Sequence, residues 1–108
     1  MEKKITEKQI EKALVEGVKK LGGTAYKFVS PGHAGVPDRM IVLPGGAIIF
    51  AELKRPGGKT TPLQDAEIKK MQSLGCDVGV ISGIAEVKAC LEYCRMHIKD
   101  REKGAHEV

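Results

Sequence analysis

From Ile10 the chain places Leu14, Val18 and Leu21 at helical spacing, which predicts one apolar stripe along a first helix. Thr6 stands ahead of that stripe with Gln9 three residues later, the pattern of a capping box, and Gly22-Gly23 ends the run. Thr24–Val29 reads as a strand, and Ser30–Val36 as a loop rich in glycine and proline. Asp38–Leu43 and Ala47–Leu53 are two further strands, joined by Pro44-Gly45-Gly46 in a hairpin. A basic loop, Arg55–Thr61, leads to a second helix with Thr61 as cap, Pro62 at its first position and Gly75 as its stop. Val78–Ile81 is a short apolar run, expected to be a strand buried on both faces. Ile84, Val87, Leu91, Cys94 and Ile98 then mark a last helix, and Lys99–Val108 lacks periodicity and reads as a frayed polar tail. The order α-β-β-β-α-β-α predicts a single α/β domain over residues 1–98, with a central sheet flanked by helices, and a flexible tail over 99–108.

Composition changes this picture little. A chain of 108 residues fits one domain with a modest core. Lys and Arg outnumber Asp and Glu by 18 to 14, which suits a polyanionic partner only mildly. Tyr26, Phe28, Phe50 and Tyr93 are the whole aromatic complement, too few to favour stacking on single strands. Cys76, Cys90 and Cys94 form no CxxC pair and read as small apolar residues in a reducing compartment. The charged N-terminus does not resemble a signal peptide, and the longest apolar run, Ala47–Ala51, is too short to cross a bilayer. A cytoplasmic protein with no membrane association is expected.

The candidate chemistry lies in Gly35-Val36-Pro37-Asp38 and Glu52-Leu53-Lys54. Glu52 and Lys54 are two apart on a strand and so project from one face. A carboxylate and an ammonium ending an apolar run need a mutual partner, a metal or a substrate. The hairpin adds a second carboxylate. With Pro44-Gly45-Gly46 as the loop, Val42 faces Ile48, Met40 faces Phe50 and Asp38 faces Glu52. Directly opposed residues have Cβ atoms about 4.5–5.5 Å apart. Two carboxylates that close repel unless a cation lies between them. Mg²⁺ suits such a pair, with water and phosphate oxygens completing its shell. A two-residue loop would instead set Asp38 against Leu53, so the metal site predicts the three-residue loop or a compensating bulge. A surface Glu–Lys pair beside an unrelated Asp is the bland alternative.

These residues resemble the PD-(D/E)xK nuclease superfamily. More narrowly, Lys27-Phe-Val-Ser-Pro-Gly-His-Ala-Gly-Val-Pro-Asp-Arg, Leu43-Pro-Gly-Gly, Phe50-Ala-Glu-Leu-Lys and Pro62-Leu-Gln resemble the VRR-NUC family, the virus-type replication-repair nucleases. The resemblance spans about residues 5–82 and points to a stand-alone, phage-type member. It implies a restriction-endonuclease-like αβββαβ core with a mixed sheet, and Mg²⁺-dependent hydrolysis of DNA in which Mn²⁺ substitutes. The implied metal ligands are Asp38, Glu52, the Leu53 backbone carbonyl and a first-helix glutamate, with Lys54 and Gln64 completing the catalytic set. Among Glu2, Glu7, Glu11 and Glu16, the choice falls on Glu11, at the edge of the buried stripe, with Glu7 second. A homodimer acting on branched DNA, as a four-way-junction resolvase does, is the further implication, in a bacterial or phage-infected cell.

Several residues keep two readings. Gln64 serves the site or closes a capping box with Thr61. Ser30, Gly32 and Gly35 let the backbone approach a phosphate or simply form a tight turn. His33 contacts DNA or is solvated. Lys27, Arg55 and Lys59 hold phosphates nonspecifically, whereas Lys69 and Lys70 read as solvated. Arg39 points to the opposite face from Asp38 and is expected to serve structure or a dimer. Three functions compete: a structure-specific endonuclease, a less selective duplex or flap nuclease, and a noncatalytic DNA-binding module. The intact Asp38, Glu52 and Lys54 argue against the last.

Overall fold

The computed structural model describes residues 4–106. Its elements follow the expected order: α1 (Glu7–Lys20), β1 (Thr24–Lys27), β2 (Arg39–Val42), β3 (Ile48–Leu53), α2 (Pro62–Ser73), β4 (Asp77–Ile81) and α3 (Ile84–His106). Both predicted capping boxes form, at Thr6–Gln9 and at Thr61–Gln64. The sheet order is β1-β2-β3-β4. The first three strands are antiparallel, and β3 pairs with β4 in parallel through the α2 crossover.

The hairpin takes the three-residue loop. Val42 pairs with Ile48 and Arg39 with Ala51. Leu43 N–H donates to Ala47 O at 2.9 Å, and Gly46 N–H closes the turn on Leu43 O at 2.9 Å. Gly45 and Gly46 both stand at φ +90°, a conformation that side chains resist, which is why this turn needs two glycines.

Strand alternation sorts the sheet into two faces. Ala25, Ile41, Ile49, Ala51, Leu53 and Ile81 turn toward α1 and α3, and form the core with Ile10, Leu14, Val18, Val87 and Cys94. Asp38, Met40, Phe50, Glu52 and Val80 turn the other way, where Phe28 meets Phe50 at 5.3 Å and α2 lies. The buried side of α2 is narrow, with Ile68 its one buried residue.

Three expectations need correction. β4 is not buried on both faces: it is the last strand of the sheet, and only Ile81 is buried. β1 ends at Lys27 rather than Val29, although Phe28 N–H still reaches Asp38 O at 2.8 Å. The frayed tail expected over 99–108 is helical over 99–106, and 107–108 lie outside the described residues. α3 continues to His106, because Lys, Arg and Glu are good helix formers and Arg101 ties the helix to the hairpin tip, donating to Gly45 O at 3.0 Å.

Candidate active site

The C-terminal end of β3 gathers the candidate residues. Leu53 is locked in the core, which forces its neighbours Glu52 and Lys54 to the opposite face, toward α2. The ladder extends past Leu53, since Lys54 N–H donates to Ile81 O at 2.9 Å. Extending the β2–β3 register by one pair sets Asp38 against Glu52, as the loop length requires. The two strands are bolted there by a side chain: Asp38 Oδ2 accepts from Leu53 N–H at 2.9 Å. A residue's N–H and C=O leave the same side of a strand, so the Leu53 carbonyl also faces the Asp38 side.

Glu52 is the one buried charged side chain among the described residues, 1 % exposed. Its two oxygens differ. Oε2 accepts from Gln64 Nε2 at 2.8 Å and lies 3.4 Å from Lys54 Nζ. Oε1 is buried with no hydrogen-bond partner. Burial pushes the Glu52 carboxyl up to about 7, the Asp38 carboxylate adds to the rise, and the Lys54 ammonium opposes it. A buried oxygen without a donor, beside a second carboxylate, is stabilised by taking up a proton or by a cation. The donor set therefore fits a hard divalent ion that takes two carboxylates, a backbone carbonyl, water and phosphate oxygens. No group of three His, Cys, Asp or Glu side chains is gathered among the described residues.

Gln64 resolves its two readings by doing both. Its Oε1 accepts from Thr61 N–H at 2.9 Å, which frees the Nε2 end to hold Glu52. A capping glutamine normally faces solvent. Here Pro62 starts α2 against the end of β3, and the cap becomes part of the site.

Glu11 does not join the carboxylates. Its Oε1 lies 3.1 Å from Arg39 Nη2, and Arg39 also donates to Ala25 O at 3.1 Å. Asp38 and Arg39 are adjacent on the strand path and point to opposite faces, and α1 packs on the face of Arg39. Arg39 has the structural place expected of it. Glu7 lies one turn nearer the site end of α1, lining a hollow with Arg55 and Pro56, and is exposed.

The Ser30–Val36 loop is held by α2. His33 Nε2 meets Glu67 Oε2 at 2.8 Å. A Cβ on Gly35 would stand 2.8 Å from Leu63 O, and its φ is +88°. Here the glycine admits the helix backbone, so the close approach is to α2. Ser30 O accepts from His33 N–H at 3.1 Å, with Gly32 at φ +76° in that turn. Buried Pro37 then delivers the chain to Asp38. Sequence reasoning missed Glu67, which stands 34 residues from His33 with no spacing to signal the pair. Lys27, Arg55 and Lys59 are exposed around the site end of the sheet, and Lys69 and Lys70 are exposed on α2.

No family model matches the chain. It is 56 % identical over 77 residues to "Putative nuclease p44" of Acyrthosiphon pisum secondary endosymbiont phage 1, a match covering 71 % of this chain and 83 % of that protein. A solved structure described as a VRR_NUC domain superposes with a TM-score of 0.76 at 30 % identity, covering 82 % of this chain and 97 % of the other. A second, a VRR_NUC domain protein, gives a TM-score of 0.63 at 22 % identity over 85 % and 89 % of the two chains, a likeness of fold.

Proposed function

The chain belongs to the VRR-NUC family of nucleases, and from that premise we propose that it is a metal-dependent DNA endonuclease, acting as a homodimer on branched DNA. One observation carries the metal dependence: Glu52 Oε1 is buried and unpartnered beside Asp38. Asp38, Glu52 and the Leu53 carbonyl are the residues that would hold Mg²⁺, with Mn²⁺ as substitute. The ion's chemistry is to polarise the scissile phosphate and lower the pKa of a water.

The chain's own groups do the rest. Asp38, bolted to the Leu53 amide, and Glu52, held by Gln64, keep their carboxylates in place before substrate arrives, so little order is lost on binding. Lys54, only 18 % exposed and tethered by Glu52, presents an ammonium that orients the attacking water and offsets charge gathering on the phosphoryl oxygens. The water oxygen bonds to phosphorus as it gives up a proton to solvent, and the bond to one strand oxygen breaks, that oxygen leaving as a hydroxyl with a proton from solvent. Arg55, Lys59 and Lys27 hold flanking phosphates, which carries no sequence preference.

The test compares a four-way junction, a flap, a linear duplex and a single strand, each with Mg²⁺, with Mn²⁺ and with EDTA. Cleavage needs the metal and is fastest on the junction. Full activity in EDTA overturns the metal site, and equal rates on all four substrates overturn the preference for branched DNA.

A further inference from the structure

The strand register that opposes two acids on one face of the sheet opposes two bases on the other. Lys27 of β1 is the cross-strand partner of Arg39 of β2. Alternation places Lys27 with Ala25 and Arg39 with Ile41, so both point to the α1 face. They stand at the end of the sheet where Asp38 and Glu52 occupy the opposite face. Like charges set directly across a strand pair are destabilising unless an ion of the other sign lies between them.

More positive charge gathers beside this pair. Lys8 and Lys12, one turn apart on α1, line a hollow of about 350 Å³ with Arg39, Glu11, Glu16 and Val15. Four cations therefore meet two carboxylates. Among the described residues, Lys8, Lys12 and Lys27 have no ion-pair partner, and Arg39 has Glu11. Arg39 is only partly satisfied. Its Nη1 donates to Ala25 O at 3.1 Å, its Nη2 lies 3.1 Å from Glu11 Oε1, and its Nε is buried with no acceptor. The Arg39 side chain is 15 % exposed and held in place, whereas Glu11 is 43 % exposed and free to turn into water. A guanidinium so placed can exchange that carboxylate for a phosphate, whose oxygens suit its fork of donors.

We propose that Arg39 and Lys27, rimmed by Lys8 and Lys12, form a phosphate-binding subsite for the DNA backbone, which Glu11 fills until a phosphate displaces it. The ligand is a backbone phosphodiester because the charge excess calls for an anion and nothing there reads a base. Val15 is the one apolar residue lining the hollow among the described residues, and no aromatic ring lies in it. Contacts of this kind fix the path of a strand and carry no sequence preference. Glu11 competes with the phosphate, so it sets affinity and leaves the chemical step alone.

This rests on the nuclease reading above and deepens it. Asp38 and Arg39 are neighbours in the chain with side chains on opposite faces. A DNA backbone that passes across the end of the sheet therefore meets the Asp38–Glu52 carboxylates on one face and the Arg39–Lys27 cations on the other.

The test measures binding without cleavage: fluorescence anisotropy of a labelled four-way junction in EDTA, over a series of NaCl concentrations. The logarithm of the binding constant falls with the logarithm of salt by about 0.9 for each phosphate neutralised. Arg39→Gln and Lys27→Gln are each expected to weaken binding and to flatten that slope by about 1. Arg39→Lys keeps the charge and is expected to keep the slope. Glu11→Gln is expected to tighten binding by about two- to fivefold, because the competing carboxylate is gone. Lys69→Gln, exposed on α2, is expected to change neither affinity nor slope. A purely structural ion pair predicts the reverse for Glu11→Gln, a lower Tm with binding unchanged or weaker, and that result overturns the proposal. So does a parental slope for Lys27→Gln, or a slope for Arg39→Lys as flat as that of Arg39→Gln. If Arg39→Gln does not fold, the Lys27 and Glu11 variants decide the matter by themselves. An unmodified protein that binds no DNA removes the nucleic-acid reading and this subsite together, whereas binding with unaltered slopes removes the subsite alone.

Discussion

The two faces of the central sheet use the same strands for different ends. On the face toward α1 and α3, side chains of Ile41, Ile49, Ala51 and Leu53 close a dry core, and Glu11, an acid at its margin, is neutralised by Arg39. On the face toward α2, the same strands present Asp38 and Glu52, and the buried Glu52 oxygen is left without a donor. Each residue's burial is dictated by which helix covers it, and α2 covers its face narrowly. The difference teaches where an acid serves the fold and where it is held ready for a ligand. Glu11 has a cation from its own chain. Glu52 receives Lys54 and Gln64 on one and the same oxygen and keeps the other open.

The largest expected effect comes from the α2 face. Glu52→Gln or Asp38→Asn is expected to lower the cleavage rate by about 10³-fold or more, because the proposed metal site would lose a ligand charge that nothing else supplies. Far-ultraviolet circular dichroism is expected to be unchanged. Cleavage within tenfold of the parent would remove these residues from the site. On the other face, Leu14→Ala, fully buried, is expected to cost about 2–5 kcal/mol of stability. Activity per folded molecule is expected to hold well below the lowered Tm. Loss of activity without loss of Tm would break the division between the faces.

A third outcome concerns acidity. Below pH 4.5 the Glu52 carboxyl is protonated folded or unfolded, and its burial costs no ionisation. As pH rises to about 7 the unfolded chain releases that proton first, so the metal-free protein loses stability until the folded carboxyl also ionises. The Tm of Glu52→Gln minus that of the parent, followed without metal, is therefore expected to rise over this window and level off above it. A flat difference would contradict the buried, unpaired carboxylate. The smallest effect belongs to Glu11→Gln. Glu11 itself is 43 % exposed, so about 1 kcal/mol is lost at most, and cleavage is expected to stay within a few-fold. Abolished cleavage would place Glu11 on the metal and merge the two faces.

Much of this was legible along the chain. The hairpin shows why: a loop of Pro44-Gly45-Gly46 admits one register, and one register brings Asp38 to Glu52 across fourteen residues. The caps at Thr6 and Thr61 likewise act through bonds three residues long. What failed was everything decided by distant neighbours. Glu11 at the edge of an apolar stripe could belong to either face, and only the Arg39 contact assigns it. Gly35 reads equally as a phosphate loop or a tight turn until Leu63 O is found against it. Val78–Ile81 is apolar enough for a central strand, yet the strand order leaves it at the edge.

The sequence by itself determined the element order, the hairpin register and the Asp38–Glu52–Lys54 set, because short-range turn geometry and strand alternation depend on the nearest residues alone. Tertiary structure alone decided that Gln64 holds Glu52 and that α2 pins the His33 loop through Glu67. It also decided that one Glu52 oxygen stays unpaired. Those facts depend on where α2 lands on the sheet, and that is settled by packing between residues whose spacing along the chain carries no signal.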